Sequence, residues 1–420
     1  MILDWLEPNE LYELMCTSKQ LNDFIKGNKY YWTKYILSDE MLDRRRSCDT
    51  VLMKDPLEIA KKLHGAIMLE PTMEQMEQLL LANSISRIEI RAQCYTFDSL
   101  VDSMTSNTSL HTLVLMDNCM PGCVIDTEKI FPKLSIRKLV CIRSKKPCNT
   151  PFKLEHALTI PTLKSLVFRW SAAYKLVDPL WANKSLTDLD IQGLVSARDY
   201  IWQGMAKNTS IRRLNATGVV GLKRDTGTDK YFPEIFVYNT TLRDVIARNI
   251  GITSVTTTKL KIAKNIVKLD ISSNTLKLAG AKGIAEFLET DNRLEALYIS
   301  NCSITQTGFN IIAASLRKAK RLIHFEANAN DLKNEESMLN TLSCNTKLRR
   351  LSLVSNAFAN TTGWEECLKK NKTLVSIDLS YNEVELTDGR AITKRVDPAQ
   401  WKVFRTEYRR NLKAIPNYEG

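Results

Sequence analysis

The sequence predicts an α/β fold of the solenoid type, in which one short strand and one helix recur along the chain. A template of apolar residues at positions one, four and six, often followed by Asn at position nine, returns twelve times between residues 85 and 383. The segments between copies carry apolar residues at helical spacing. The copies begin at residues 85 to 374, which gives a mean period of about 26 residues and indicates a repeat array.

The template itself predicts a strand. Leu113 and Leu115 alternate with other residues, which is the period of a strand with one buried face. Asn118 then stands where the chain turns, and its amide is expected to satisfy buried backbone groups. The clearest copies begin at Leu110, Ile266, Leu322, Leu348 and Leu374, and weaker copies begin at Ile85, Ile136, Leu163, Leu186, Ile211, Leu242 and Leu294.

The segments after the strands predict helices. Residues 281–288 and 309–316 place apolar side chains at i, i+3, i+4 and i+7. Residues 223–230 interrupt the pattern and predict an inserted loop. Asn-x-Ser/Thr triplets, such as those at Asn107 and Asn239, recur in phase with the repeat. We interpret them as structural elements rather than as glycosylation sites.

A strand and a helix in every unit of this length resemble the ribonuclease-inhibitor-like class of leucine-rich repeats, across residues 85–383. The resemblance implies parallel strands on the concave face and helices on the convex face. The terminal repeats of such a solenoid need caps. Residues 384–420 predict a C-terminal capping helix and tail, because Asp397 and Pro398 are suited to a helix start.

The N-terminal segment, residues 1–40, does not repeat and predicts helices. It resembles the F-box, with its Leu-x-x-Leu-x-Pro-x-x-Leu run, a Ser-Lys pair and a later Trp. The matching residues are Leu3, Leu6, Pro8, Leu11, Leu14, Ser18, Lys19 and Trp32. The resemblance implies that residues 1–37 bind the adaptor of a ubiquitin ligase. Because the chain starts after the usual upstream Leu-Pro segment, a purely capping role is an open alternative. Residues 41–84, with Ile59, Leu63 and Ile67 at helical spacing, predict a linking helical cap.

Composition and charge limit the location and the partners expected for this protein. The chain lacks a secretory signal at its start and an apolar run long enough to cross a bilayer, so no membrane partner is expected. Its ten cysteines are scattered, which indicates a reducing cytoplasmic or nuclear location. The net charge of +12 favours acidic partners. Nucleic acid fits that charge, but no motif in the sequence requires it.

Catalytic constellations are not found in the sequence. Its four histidines lack metal-ligand or triad spacing, and no phosphate-binding Gly-rich loop is present. Cys119, Cys123, Cys141 and Cys148 approach a zinc pattern, but the spacing is loose and Cys141 falls on an expected buried strand position. We therefore predict a protein that is not an enzyme and has neither a metal site nor a cofactor.

The partner surface is predicted from positions five and seven of the template, which are expected to point into the groove in every repeat. Toward the C-terminus, position five turns acidic or polar. Positions five and seven of the second to fourth repeats are apolar and are bordered by arginines. The predicted partner-binding residues on the concave face are Arg91, Val114, Met116, Val140, Ile142, Val167 and Arg169.

Two functions from different classes follow. The F-box resemblance implies a substrate-recognition subunit of a cullin–RING ubiquitin ligase, which binds proteins and performs no chemistry itself. The alternative is a structural scaffold subunit of a larger macromolecular assembly that binds through its concave or basic surface. A role in regulating the cytoskeleton or GTPases would rest on fold analogy with tropomodulin and the Ran GTPase-activating protein alone.

Overall fold

A computed structural model of the chain describes residues 36–37, 67–68, 80–81, 87–91, 97–117, 127–143, 154–169, 177–196, 198–221 and 228–393. The chain divides into two compact units, Met1–Trp170 (unit 1) and Ser171–Gly420 (unit 2). Each unit alternates short strands with helices.

Unit 1 begins with two short strands, β1 (Ile36–Leu37) and β2 (Ile67–Met68), which pair in parallel. Both segments were expected to be helical. The entirely helical N-terminal cap is therefore wrong at these four residues, where backbone pairing prevails over a helical spacing of apolar side chains. The rest of the expected helices in residues 1–79 lies outside the described residues.

The repeat strands of unit 1 pair in parallel, each with the next along the chain. They are β3 (Arg87–Arg91), β4 (Thr112–Asp117), β5 (Lys138–Arg143) and β6 (Ser165–Arg169). The helices between them are α1 (Phe97–Ser106), α2 (Thr127–Ile130), which a 3-10 turn at Phe131–Lys133 continues, and α3 (Leu154–Ala157).

The repeat strands of unit 2 are three residues long, except for the two-residue last one, and they too pair in parallel with their neighbours. They are β7 (Asp188–Asp190), β9 (Arg213–Asn215), β11 (Asp244–Ile246), β12 (Lys268–Asp270), β13 (Ala296–Tyr298), β14 (His324–Glu326), β15 (Arg350–Ser352), β16 (Ser376–Asp378) and β17 (Ala391–Ile392). Two further short strands, β8 (Val195–Ser196) and β10 (Val220–Gly221), pair with each other.

Helices separate these strands along the chain. They are α4 (Val177–Ala182), α5 (Arg198–Lys207), α6 (Thr228–Tyr238), α7 (Ser254–Lys259) with a 3-10 turn at Leu260–Ile262, α8 (Lys277–Glu289), α9 (Gln306–Ser315), α10 (Glu336–Leu342) and α11 (Thr361–Lys370). The predicted helices at 281–288 and 309–316 are confirmed as α8 and α9. The loop expected at 223–230 ends earlier, because α6 already begins at Thr228.

Every one of the twelve template copies contains a strand that begins at position three of the template. The apolar residues of the template form the core. Leu113, Leu139 and Leu269, all at position four, are completely buried. Each such leucine contributes about 2 kcal/mol from the burial of its side chain. The predicted leucine-rich-repeat solenoid is thereby confirmed.

The chain turns sharply after each strand of unit 2, at position eight of the template. Every residue at that position has a left-handed backbone conformation, and only two of the eight are glycines. The residues are Gly193, Gly218, Asn249, Ser273, Asn301, Ala329, Ser355 and Tyr381, with φ between 49° and 70°. This conformation costs about 1–2 kcal/mol for a residue with a Cβ, so other contacts must hold the turn.

Buried asparagines at position nine supply those contacts. The Oδ1 atom of Asn274 accepts hydrogen bonds from the backbone N–H groups of Ile250, Gly251 and Ile252, at 2.9 to 3.1 Å. Its Nδ2 donates to the carbonyls of Ala247 and Ile271. Equivalent bonds are made by Asn330, Asn356 and Asn382. The predicted structural role of the position-nine amide is confirmed in these repeats.

A second set of asparagines stands at the helix ends and belongs to the Asn-x-Ser/Thr triplets. Asn208 donates from Nδ2 to the carbonyl of Leu180 in the preceding repeat and accepts from the N–H of Ile211. The same pair of contacts is made by the triplet residues Asn107, Asn239 and Asn371. Asn345, which is followed by Thr-Lys and is not part of such a triplet, makes them as well. Since these side chains bond across repeats, the triplets are structural, as the sequence predicts.

The last repeat ends in β17, a strand that the sequence analysis does not predict. Residues 391–392 were expected within the C-terminal cap, and the capping helix expected from Asp397 lies outside the described residues. Beside β17, the guanidinium of Arg390 donates to the carbonyls of Leu368, Asn371 and Leu374. Asp388 fixes that guanidinium through an ion pair of 2.7 Å. This arginine therefore satisfies the exposed carbonyls at the end of the array.

Candidate protein-binding surfaces

The F-box-like positions come first in the chain. The predicted adaptor-binding residues are Leu3, Leu6, Pro8, Leu11, Leu14, Ser18, Lys19 and Trp32, and all of them lie outside the described residues.

The register of unit 1 brings the predicted apolar patch together. Val114, Val140 and Val167 occupy neighbouring strands as direct partners. A second row joins Arg91, Met116, Ile142 and Arg169 in the same way. All seven predicted residues thus lie on two adjacent rows of one sheet. Their accessibility differs between positions, because not every side chain of a row reaches the solvent.

The side chains of this patch differ in how far they are exposed to solvent. Val140, Ile142 and Val167 are half-buried, and Arg169 is exposed. Val114 is only 1% exposed, so its side chain is part of the interior and offers no surface to a partner. Among the patch residues whose burial is described, the accessible ones therefore lie on β5 and β6, with Arg169 at the border.

The outward positions of unit 2 are polar and charged. At position five, the sequence analysis expects a row that turns acidic or polar toward the C-terminus, and the register places those residues side by side. The row comprises Ile246, Asp270, Tyr298, Glu326, Ser352 and Asp378. Position three forms a second outward row that the sequence analysis did not consider. It comprises Arg213, Asp244, Lys268, Ala296, His324 and Arg350.

The acids at position five are engaged within the fold. Asp270 is 1% exposed and forms an ion pair with Arg248, with Nη2 and Oδ2 2.6 Å apart. Glu326 accepts a hydrogen bond of 2.9 Å from the hydroxyl of Ser300. Burial raises the pKa of Glu326, and the bond from Ser300 opposes that rise in pKa. These carboxylates thus have internal partners.

Aromatic and basic side chains meet between the two rows. The ring of Tyr298 lies 4.8 Å from that of His324, and the ammonium of Lys268 stands 5.3 Å from the centre of the Tyr298 ring. Burial lowers the pKa of His324, and the charges of Arg350 and Lys268 lower that pKa further. His324 is therefore neutral at pH 7, which leaves Lys268 and Arg350 as the cations of this cluster.

Position seven behaves differently in the two units. In unit 2 the sequence analysis expects it to point into the groove, but Ser272, Ser300 and Asn328 are buried there. The hydroxyl of Ser272 accepts from the N–H of Ser300, and that of Ser300 accepts from the N–H of Asn328. The expectation is wrong for these residues because the three-residue strand has already ended, so position seven lies inside the turn.

Chemistry other than binding is not apparent in the part of the chain that the structure describes. There, no three His, Cys, Asp or Glu side chains are grouped as metal ligands. Cys141 is buried and its thiol pKa is raised by that burial, as its predicted strand position implies. The other three cysteines of the loose zinc pattern lie outside the described residues. Among the described helices, none is long and apolar enough to span a membrane.

Comparison with known proteins gives the class. The leucine-rich repeat family matches residues 370–392. The chain is 32% identical over 133 residues to NACHT, LRR and PYD domains-containing protein 14 of Mus musculus. The aligned region covers 30% of this chain and 13% of that protein. It is 30% identical over 129 residues to the ribonuclease inhibitor of Mus musculus, which covers 29% of this chain and 28% of that protein. The chain thus spans under a third of either relative. With the repeats described above, these matches define a leucine-rich-repeat protein.

The N-terminal segment makes the description more specific. The F-box domain family matches residues 1–33. The chain is therefore a leucine-rich-repeat protein with an F-box domain at its N-terminus, as predicted from its sequence. Both parts indicate a protein that binds other proteins.

Proposed function

We propose that this chain is the substrate-recognition subunit of a cullin–RING ubiquitin ligase. In this role, residues 1–33 bind the small adaptor of the ligase, and the concave face of the repeats binds the protein to be ubiquitylated. The chain positions its substrate and performs no chemistry itself. The observation that carries the proposal is the match of an F-box domain at residues 1–33 in a chain whose leucine-rich repeats begin at residue 85.

For the substrate, we propose the apolar patch of unit 1, in which Val140, Ile142 and Val167 remain accessible beside Arg169. An apolar centre with an arginine at its border is the usual composition of a protein interface. Val114 stands beside Val140 in the same row, but it is buried and is left out of the proposed contact. Arg91 and Met116 belong to the same rows by register and complete the proposed surface.

For the location, we propose the cytoplasm or the nucleus. The described cysteines Cys141, Cys302, Cys344 and Cys367 are all free thiols. Burial raises the pKa of Cys302 to about 12 and that of Cys367 to about 11. Such thiols act as small apolar side chains of the core and are compatible with a reducing compartment.

The test is co-expression of the full-length chain with the ligase adaptor, followed by size-exclusion chromatography. We expect a stoichiometric complex. The double substitution Pro8→Ala with Leu11→Ala removes two predicted contacts and should weaken the complex at least about tenfold, equivalent to about 1.4 kcal/mol. The matched control is Asn9→Ala with Glu10→Ala, which changes neighbouring residues outside the predicted contacts and should leave the complex intact.

Absence of a complex with a well-folded chain would contradict the ligase proposal and favour the structural scaffold instead. In that case the N-terminal helices would serve as a cap of the array. Circular dichroism of each variant distinguishes lost binding from lost folding. Equal weakening by both double substitutions would also count against the proposed contacts.

A further inference from the structure

A basic edge runs along the beginnings of the strands of unit 2. Positions two and three of four repeats carry six cations, which define this edge: Arg212, Arg213, Arg243, Lys268, Arg349 and Arg350. Strand register brings the position-three residues of this region into one row across neighbouring strands. Adjacent strands lie about 4.8 Å apart. The cations fall into two groups, one on the repeats of β9 to β12 and one on the repeat of β15, and the uncharged Ala296 and His324 lie between them in the position-three row.

A cavity of about 450 Å³ lies in the middle of the basic edge. Its lining combines cations with aliphatic side chains. Lys268, Arg349 and Arg350 supply the charge, while Val267, Ala296 and Ile323 supply apolar surface. Ile323 is 42% exposed, so its side chain is open to a ligand. Val375, at the same template position two repeats further along, is 58% exposed.

The cations of the cavity lack acidic partners. Within the described part of the chain, Lys268, Arg349 and Arg350 form no ion pair. The nearby acids Asp270 and Glu326 do not compensate them, since Asp270 is paired with Arg248 and Glu326 with the hydroxyl of Ser300. A ligand with negative charge would therefore supply the missing counter-charge.

Two acids also line the cavity and restrict what that ligand can be. Glu295 is exposed at its border, and Asp244 lies in register between Arg213 and Lys268, without an ion pair to Lys268. A nucleic acid or a phosphorylated segment would bring dense charge against these carboxylates, whereas single carboxylates interspersed with apolar residues would not. The aliphatic side chains of the cavity also offer an apolar contact, which a phosphate backbone does not make because it binds through its charge.

We propose that the basic edge binds an extended segment of a partner protein in which Asp or Glu alternates with aliphatic residues. Its carboxylates pair with Lys268, Arg349 and Arg350, and its aliphatic side chains lie on Val267, Ala296 and Ile323. This inference rests on the proposed substrate-recognition function and names the chemical class of the segment recognised. It places that contact on unit 2, separate from the apolar patch of unit 1.

The test uses a fluorescein-labelled peptide of alternating Glu and Leu, about twelve residues long, and the full-length chain. Fluorescence anisotropy gives the Kd at two salt concentrations. We expect binding that weakens with salt, because exposed charge pairs are screened. The charge-reversing pair Lys268→Glu with Arg350→Glu should raise the Kd at least about tenfold. The matched control, Lys282→Glu with Lys369→Glu, changes the net charge equally on the helices α8 and α11 and should not.

Three results would overturn the inference. The first is that the folded chain does not bind the peptide. The second is that both double reversals weaken peptide binding equally. The third is that a phosphorylated peptide or a single-stranded oligonucleotide binds the same residues more tightly than the peptide does. The adaptor complex is measured on the same variants. Because the reversals lie far along the chain from residues 1–33, the adaptor complex should persist. Lost peptide binding with an intact adaptor complex therefore tests the basic edge. A missing adaptor complex with intact peptide binding tests the ligase proposal.

Discussion

The strands of units 1 and 2 start at the same template position but end at different ones. In unit 1, β4 and β5 are six residues long and continue through position seven. In unit 2, β12 and β13 stop after three residues, at position five. The chain then turns through left-handed residues that buried serines and asparagines hold in place. One repeat template thus gives two kinds of concave surface.

The difference changes what each region offers to a partner. A strand that continues through position seven keeps the alternation of inward and outward residues, so unit 1 presents apolar side chains on two rows. A strand that ends at position five turns the following polar side chains inward, where they bond to backbone N–H groups. Unit 2 then presents its charges at positions three and five. Strand length thus decides whether position seven adds a second outward row, whereas the basic edge depends on which residues stand where the strands begin.

The largest expected effect tests the polar turn of unit 2. Asn274→Leu keeps the volume but removes the acceptor of three backbone N–H groups and a donor to two carbonyls. Because unsatisfied buried polar groups cost about 1–3 kcal/mol each, we expect a loss of about 3–5 kcal/mol in the free energy of unfolding. Urea denaturation measures it. The control Asn340→Leu makes the same substitution at an exposed position of α10 and should stay within about 0.5 kcal/mol. A loss below about 1 kcal/mol for Asn274→Leu would contradict the view that buried polar side chains hold the turns of unit 2.

The second prediction concerns the apolar patch of unit 1. Val140 is half-buried between its strand partners Val114 and Val167. Val140→Glu should abolish recovery of the partner proteins that the wild-type chain retains in quantitative proximity labelling, since it puts a charge in the centre of the interface. Val140→Thr has the same shape and should retain them. An unchanged set of partners with Val140→Glu, in a chain that melts normally, would place recognition elsewhere.

The third prediction concerns the C-terminal end of unit 2, where a side chain replaces a following repeat. Arg390→Met keeps the aliphatic stem but removes hydrogen bonds to the carbonyls of Leu368, Asn371 and Leu374. We expect a loss of about 1–2 kcal/mol in the free energy of unfolding, measured by thermal denaturation. Lys372→Met at a neighbouring exposed position is the control. An equal change in both variants would argue against a capping role.

The smallest expected effect concerns the charge of Glu326 in the position-five row of unit 2. The pKa of Glu326 is raised by burial above its ordinary value of 4.5. A raised carboxyl pKa contributes stability below the ordinary pKa, and that stability is lost as the pH rises through the folded-state value. Glu326→Gln should therefore be more stable than the wild type at pH 7, with the difference declining toward pH 4. A difference that grows on acidification would show that the ionised carboxylate is the stabilising form.

Much of this molecule follows from local pattern. The period of the leucines predicts the strand positions, because a strand with one buried face must alternate, and all twelve strands begin where the template places them. The asparagines recur in phase because every repeat buries the same backbone groups. The F-box likeness likewise depends on residues close together in sequence, and the family match to residues 1–33 agrees with it.

Tertiary structure decided which side chains are accessible. Val114 and Val140 are indistinguishable in the template, yet Val114 is 1% exposed and Val140 is half-buried. Ser272 and Ser300 match the pattern of groove residues, but the end of the strand turns them inward. Lys268, Arg349 and Arg350 are ordinary surface cations in sequence and line one cavity only when parallel strands bring repeats into register. Periodicity specifies the neighbours within a repeat, whereas accessibility and charge pairing depend on contacts between repeats.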